Sequence, residues 1–388
     1  LILSGKTTST VRHAILDISQ VTSSTSLVGL NDGGAANSAS QVNLGSKTLI
    51  LTSPSASSDL FGGVISDGGI LSGTTGNVTV LAGTQTLSNS NSYTGRTNIN
   101  ASGSLLLTGS GGISSSSGLV DGVLDISSTS SGATITTLSG GGSVVLGSKN
   151  LTLSAANTNF SGIISGGGGL VINAGTLTLS GLNSYSGSTA INSSVLKLGV
   201  SNAIGSSSAV ILSGTGVLDL SGYSDTVASI ASTDTTNNIL NTTSATTRTL
   251  ALGGSNTTTF AGVIEDNESG SGVVALTVSG TSNLTLSNTN TYSGILTITG
   301  SATLNVASDG SLGMVPLAAT PGSIVLGSAG TLHFIDTLTL SANRGVLLSG
   351  TPTLSIDLGK TVTYSGILNG VGFTLAGSGS LALYGSNT

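Results

Sequence analysis

A motif that returns four times leaves few folds open to this chain. An aromatic residue, a small residue, a glycine and two aliphatics stand at Phe61-Gly62-Gly63-Val64-Ile65, Phe160-Ser161-Gly162-Ile163-Ile164, Phe260-Ala261-Gly262-Val263-Ile264 and Tyr364-Ser365-Gly366-Ile367-Leu368. A second marker, Asn-(Ser/Thr)-Tyr-(Ser/Thr)-Gly, is centred on Tyr93, Tyr185 and Tyr292, and a third, a basic residue opening an aliphatic alternation, stands at Lys47, Lys149, Arg248 and Lys360. Three independent markers share one period of about 100 residues, so the chain reads as an array of about four modules. Their approximate bounds are 1-104, 105-195, 196-303 and 304-388, the last incomplete, within a single continuous solenoid over 1-388.

Within a module the grain is finer. Strings such as Gly175-Thr176-Leu177-Thr178-Leu179-Ser180-Gly181 alternate aliphatic and small polar residues for about five positions and then meet Gly, Ser or Asn, which is the period-two signature of short strands with frequent turns. Helices are disfavoured because Gly recurs in most stretches of ten residues and Ser, Thr and Asn compete with a helical backbone for hydrogen bonds. A sandwich has no reason to repeat one motif four times, whereas a solenoid adds coil on coil, each burying what its neighbour exposes. The expected fold is all-β: a parallel β-helix, right-handed and three-sided, with Leu, Ile and Val stacked inward and Thr, Ser and Asn outward. Between Phe160 and Tyr185 lie three strand-like pieces, Gly162 to Ser165, Leu170 to Asn173 and Thr176 to Ser180. That spacing of about 25 residues is read as one coil, giving on the order of 16 coils and roughly 80 Å at about 4.8 Å each. It predicts the Phe160 and Tyr185 rings at corresponding corners of successive coils, and Asp125 beside Lys149. Leu177 and Leu179 should face inward and Thr178 outward.

Composition removes several function classes. Hydrophobic residues make up 37 %, charged residues 6 % and aromatics 3 %, and the mean hydropathy is +0.40. That balance excludes the disordered class of low hydrophobicity and high charge. No apolar run approaches the roughly 18 residues of a spanning helix, and the aromatics are too sparse for the girdles of a membrane barrel, so no membrane insertion of this segment is expected. Nine Lys and Arg against fifteen Asp and Glu give a net charge of −6 without a basic cluster, which argues against a nucleic-acid partner. The absence of cysteine removes disulfides and thiolate metal sites. The chain opens on Leu1-Ile2-Leu3-Ser4 with no charged segment, apolar stretch and cleavage site in succession, so it reads as a processed product or an internal piece, open at both ends.

Candidate sites are few. The histidines are His13 and His333, neither with a second histidine or a carboxylate pair at ligand spacing. Asp17, Asp125 and Asp219 recur once per module in Leu-Asp-(Ile/Leu)-Ser and are expected to face outward, several coils apart, whereas a polysaccharide-cleaving β-helix gathers its acids and base on one face. Glu265-Asp266-Asn267-Glu268-Ser269-Gly270 offers hard oxygen ligands for calcium but reads first as a solvated loop. Thr-x-Thr strings such as Thr176-Leu177-Thr178 suit an ice-binding face only if stacked in every coil, and Thr is favoured on any exposed strand. The glycine runs lack the Lys-Ser or Lys-Thr of a phosphate loop. No catalytic, cofactor-binding or metal-binding residue is assigned, no cofactor is expected, and the chain is read as not an enzyme.

The stretch from Phe160 to Gly199, with Gly166 to Gly169, Asn173-Ala174-Gly175-Thr176-Leu177-Thr178-Leu179, Asn183-Ser184-Tyr185-Ser186-Gly187 and Leu196-Lys197-Leu198-Gly199, resembles the passenger-associated, or autotransporter-associated, β-strand repeat. The likeness returns more loosely around Phe61 to Thr108 and Phe260 to Val306. It implies a segment of a large bacterial surface protein, exported as an autotransporter-type passenger and secreted or displayed on the bacterial outer surface. The expected function is a non-catalytic extracellular stalk, adhesin shaft or filament segment. The alternative is a carbohydrate-binding or carbohydrate-active β-helix. Expected partners are further coils of the same chain, a second copy joined head to tail, and host or matrix glycans.

Overall fold

The computed structural model describes residues 14-32, 38-53, 58-266 and 272-385. It is a parallel β-solenoid, as the alternation and the period require. No α-helix occurs among the described residues; the one helical turn is a 3-10 turn, Asp309–Leu312. Among the described residues no helix is long and apolar enough to cross a membrane. The chain divides into two compact units, Leu1–Gly187 and Ser188–Thr388.

In the first unit the coil after Phe160 shows how the sequence builds a rung. Strands Ile163–Ser165, Leu170–Ile172 and Gly175–Leu179 lie on three different sheets. They pair in parallel with Ser143–Val145, Leu151–Leu153 and Ala156–Phe160 of the coil before. Leu151 sits over Leu170 and Leu153 over Ile172, all fully buried, while Thr152 and Val171 form the outward row between them. Burying each such aliphatic side chain is worth about 1.5–3 kcal/mol relative to exposure. Leu177 and Leu179 are buried and Thr178 lies on the other face, as the alternation predicts. Earlier in this unit, Asn77–Leu87 and Arg96–Gly109 are long strands, with a register shift between Val80 and Ala82.

In the second unit one sheet runs through Asn283–Leu286, Thr303–Val306, Thr331–Phe334 and Thr353–Ile356, each in register with the next. Its inward columns are Leu284, Leu304, Leu332, Leu354 and Leu286, Val306, Phe334, Ile356. A second sheet passes from Thr247–Leu252 to Val273–Val278 and Leu296–Ile298.

Coil length departs from the expectation. Around Phe160 one turn is much shorter than the spacing of the two aromatic markers, since Phe160 is in register with Leu179, and on the neighbouring face Ser143 pairs with Ile163. Elsewhere the step from coil to coil varies, being 19 between Val78 and Thr97 but 29 between Thr48 and Asn77. Two expectations fall with the longer coil. Tyr185 lies six residues beyond the position in register with Phe160, so the two rings do not occupy corresponding corners. Asp125 is in register with Val145, and the Lys149 amine donates instead to the Ser130 carbonyl at 3.2 Å.

The aromatic-x-glycine marker has a steric cause. Phe61, Phe160, Phe260 and Tyr364 are all buried. A Cβ built on the glycine two residues later would stand 2.5 Å from the ring tip at Gly63 and Gly162, 2.8 Å at Gly262 and 2.6 Å at Gly366. The ring folds across its own following glycine, so no side chain fits there.

Candidate binding surface

The acidic residues that recur once per module are spent on turns. Asp17, Asp125 and Asp219 each accept the backbone N–H two residues on, from Ser19 at 2.9 Å, Ser127 at 2.8 Å and Ser221 at 2.8 Å. This Asx-turn geometry ends the strand at a corner. Hydrogen bonds from Ser19 and from the Ile70 N–H hold the Asp17 carboxyl below the usual carboxylate range. Asp219 stands on the outward row, between the inward Leu218 and Leu220, but is buried there beneath Lys197, its in-register neighbour, which reaches it at 3.2 Å, and Thr242, which donates through both its hydroxyl and its N–H.

Charged groups elsewhere come in dispersed pairs. The Lys360 amine meets Asp336 at 2.8 Å, and His333 lies between Asn305 Oδ1, 2.8 Å from its Nδ1, and Asp357 Oδ1, 3.0 Å from its Nε2. Among the described residues no three His, Cys, Asp or Glu side chains come together as a metal site. His13 and the part of the acidic loop from Asn267 to Gly270 lie outside the described residues. Asp266 is described; it accepts the N–H groups of Val274 and Ser293 and the Ser293 hydroxyl. One acid stands apart: Asp225 is buried, with Oδ1 unpartnered.

The most distinctive surface is a loop in the second unit. Between Leu296–Ile298 and Thr320–Leu326 the coil is one of the long ones, Leu296 being in register with Ile324, and its extra length holds the 3-10 turn and the segment Gly313 to Ala319. Met314 and Val315 are partly exposed and Leu317 wholly so. The loop is gripped from beneath by Arg344, only 2 % exposed. Its guanidinium donates to the Asp309 carboxylate at 2.8 and 3.3 Å and to the carbonyls of Asp309 at 2.9 Å, Gly313 at 2.7 Å, Met314 at 3.2 Å and Leu312 at 3.4 Å. The Asn343 amide donates to the Pro316 carbonyl at 2.8 Å. On either side of Thr320-Pro321-Gly322 lie hollows of about 480 and 380 Å³, the first walled by Ile295 and Met314 to Ala318, the second by Ala342, Val346 and Ile367. Neither wall carries a charged or aromatic side chain, so these hollows suit apolar contact and lack the acids of a hydrolytic groove.

The two aromatic markers of the sequence meet in space. The Asn of each Asn-x-Tyr accepts, through Oδ1, the N–H of the second aliphatic residue of the aromatic-x-Gly motif before it. Asn91 binds Ile65 at 2.8 Å, Asn183 binds Ile164 at 2.7 Å and Asn290 binds Ile264 at 2.8 Å. The next residue returns the bond, with Ser92, Ser184 and Thr291 donating to the same Ile carbonyls at 2.9, 2.9 and 3.0 Å. Thr94 and Ser293, just after the tyrosines, donate to Asp67 and Asp266; where the second copy has Gly166, the Ser186 N–H bonds that carbonyl instead. The same clip is thus built three times, and a family model described as the passenger-associated-transport-repeat matches residues 82–107, 172–198 and 276–306, each holding the Asn-x-Tyr half of one clip. The chain carries passenger-associated-transport repeats.

A curated relative is an autotransporter adhesin, BmaC, of Brucella suis biovar 1 (strain 1330), 38 % identical over 105 residues. That stretch is 27 % of this chain and 3 % of the adhesin, so the two share a small part of a very long protein. No solved structure matches.

Sequence reasoning found the transport-repeat markers but not what lies between them. Arg344 carried one signal, a lone arginine before glycine in a chain with nine basic residues. The loop carried another: its only methionine and two of its four prolines, Pro316 and Pro321, fall within eight residues.

Proposed function

We propose that this chain is a non-catalytic shaft segment of an adhesin-like, secreted or surface-displayed bacterial passenger, in which the transport repeats supply rigidity. The observation that carries this reading is the thrice-built clip, which spends the chain's most distinctive residues on joining one coil to the next. Ionisable groups engaged in corner turns and single pairs support a non-catalytic role, and the adhesin relative supports the location. Incubation of the purified chain with common acidic polysaccharides should release no new reducing or unsaturated ends; release would overturn the non-catalytic reading. Deleting one internal module from the surface-displayed protein should shorten its reach without abolishing export. Loss of export alone would make the repeats a transport element rather than a shaft.

A second reading, ligand contact, is favoured by the Met314 loop. Exposed apolar residues on a loop gripped by a buried arginine are what a contact surface needs. Glycan-array binding lost on Leu317→Ser would support a carbohydrate partner. A second copy joined head to tail and further coils of the same chain are the other proposed partners, for which the concentration dependence of light scattering is the test.

A further inference from the structure

We propose that Asp225 makes one coil of the second unit a proton-operated latch, closed while its carboxyl is neutral and loosened when it ionises. Asp225 opens the strand Asp225–Val227, and the alternation that buries Val227 also turns Asp225 inward. Its in-register neighbour in the following coil is Leu250, itself fully buried, and its Oδ2 accepts the Ile204 N–H of the preceding coil at 3.1 Å. One side chain therefore bonds the coil before and stands in register with the coil after. Its Oδ1 has no partner.

The contrast with Asp219 isolates the cause. Both carboxyls are 1 % exposed, but Asp219 has Lys197, Thr242 and the Ser221 N–H around it, which satisfy a charged carboxylate. Asp225 has a backbone N–H on Oδ2, nothing on Oδ1 and the buried Leu250 in register beside it, a setting in which the neutral acid is much the cheaper form. Burial pushes its pKa up to about 7, against the pull of the Ile204, Thr226 and Ala203 N–H groups. Among charged and titratable groups on the elements around it, Arg248 lies two residues before Leu250 on the same face of its strand. Asp219 is already held by Lys197, and Tyr223, two residues before Asp225, is partly exposed.

The direction follows from linkage. Below the ordinary value of 3.8 the carboxyl is protonated in the closed and open coil alike, and nothing is lost. As pH rises from about 4 toward 7 the open coil ionises while the closed one does not, so closure weakens steadily; above about 7 both are charged and the loss levels off. A difference of about three pH units corresponds to roughly a thousandfold in the closing equilibrium. The latch is tight in acid and loose at neutrality, the reverse of a carboxylate held by a salt bridge.

The test is hydrogen exchange on the full chain at pH 5 and pH 8, corrected for the intrinsic rate, read at residues 203–204, 225–227 and 248–252. Protection there should fall at least tenfold between the two conditions and change little in Asp225→Asn, which keeps the shape without the charge. An unchanged wild type, or an equal fall in the variant, overturns the proposal. Should the variant fail to fold, direct titration of the Asp225 carboxyl carbon decides: a midpoint above 6 supports the latch and a lower one overturns it.

Discussion

At the scale of single residues, three tyrosines in the same motif position have different surroundings. Tyr93, Tyr185 and Tyr292 are all buried. The Tyr93 hydroxyl bonds Thr97 at 2.6 Å, which bonds Ser116 at 2.8 Å, whereas Leu296 stands four residues after Tyr292 and that hydroxyl is unpartnered. An unmade buried hydrogen bond costs about 1–3 kcal/mol and a made one contributes about 1 kcal/mol. Tyr292→Phe should therefore leave the unfolding midpoint unchanged or raise it, while Tyr93→Phe lowers it, as followed by circular dichroism. In the core, Leu177→Asp and Leu179→Asp should each cost several kcal/mol and Thr178→Asp little, because only the first two bury a charge without a partner. Those inward and outward assignments were readable from alternation alone, since the side-chain period of a strand is two whatever its neighbours do. The burial of Asp219 was not readable, because it depends on which lysine the adjacent coil brings into register.

At the scale of the element, the clip and the corner can be tested separately. Asn183→Ala removes the acceptor of the buried Ile164 N–H and should cost about 1–3 kcal/mol. Gly162→Ala forces a methyl group against the Phe160 ring and the Gly142 carbonyl, while Gly141→Ala meets only Ser161 Oγ at 3.5 Å. The first should lower the melting temperature and the second leave it nearly unchanged. Arg344→Lys keeps the charge but replaces five fixed donors by three, so the loop carbonyls lose partners. Limited proteolysis between Met314 and Ala318 should then become faster without general unfolding. The sequence showed three strands per coil correctly around Phe160, because each alternating run ends at its own turn residues. It did not show the coil length. The two aromatic markers looked like equivalent corners, but one folds a ring over a glycine and the other supplies a hydrogen-bonding amide, and they stand at different points of the turn. Pairings such as Asp125 with Lys149 fail for the same reason, since the step from Thr48 to Asn77 is so much longer than that from Val78 to Thr97 that no register can be extrapolated from one interval.

At the scale of the whole molecule, the 24 charged residues and their dispersed pairs make ionic strength a weak lever. Exposed pairs are worth about 0–1 kcal/mol and are screened by salt, so unfolding midpoints at low and at roughly molar sodium chloride should differ little apart from general salt effects on burial. The unequal length of the coils has a different sort of consequence. The described rungs restore their inward columns whether the path between them is short, as from Val78 to Thr97, or long, as from Thr48 to Asn77, and loop closure grows only slowly dearer with length. Additions at a corner are therefore absorbed where they occur, and no neighbouring rung has to be renegotiated. Such a scaffold is tolerant of insertions by construction: an unrelated peptide spliced between Val315 and Ala318 would be carried outward while the strands Leu296–Ile298 and Thr320–Leu326 stayed paired, which makes the corner a port for grafting.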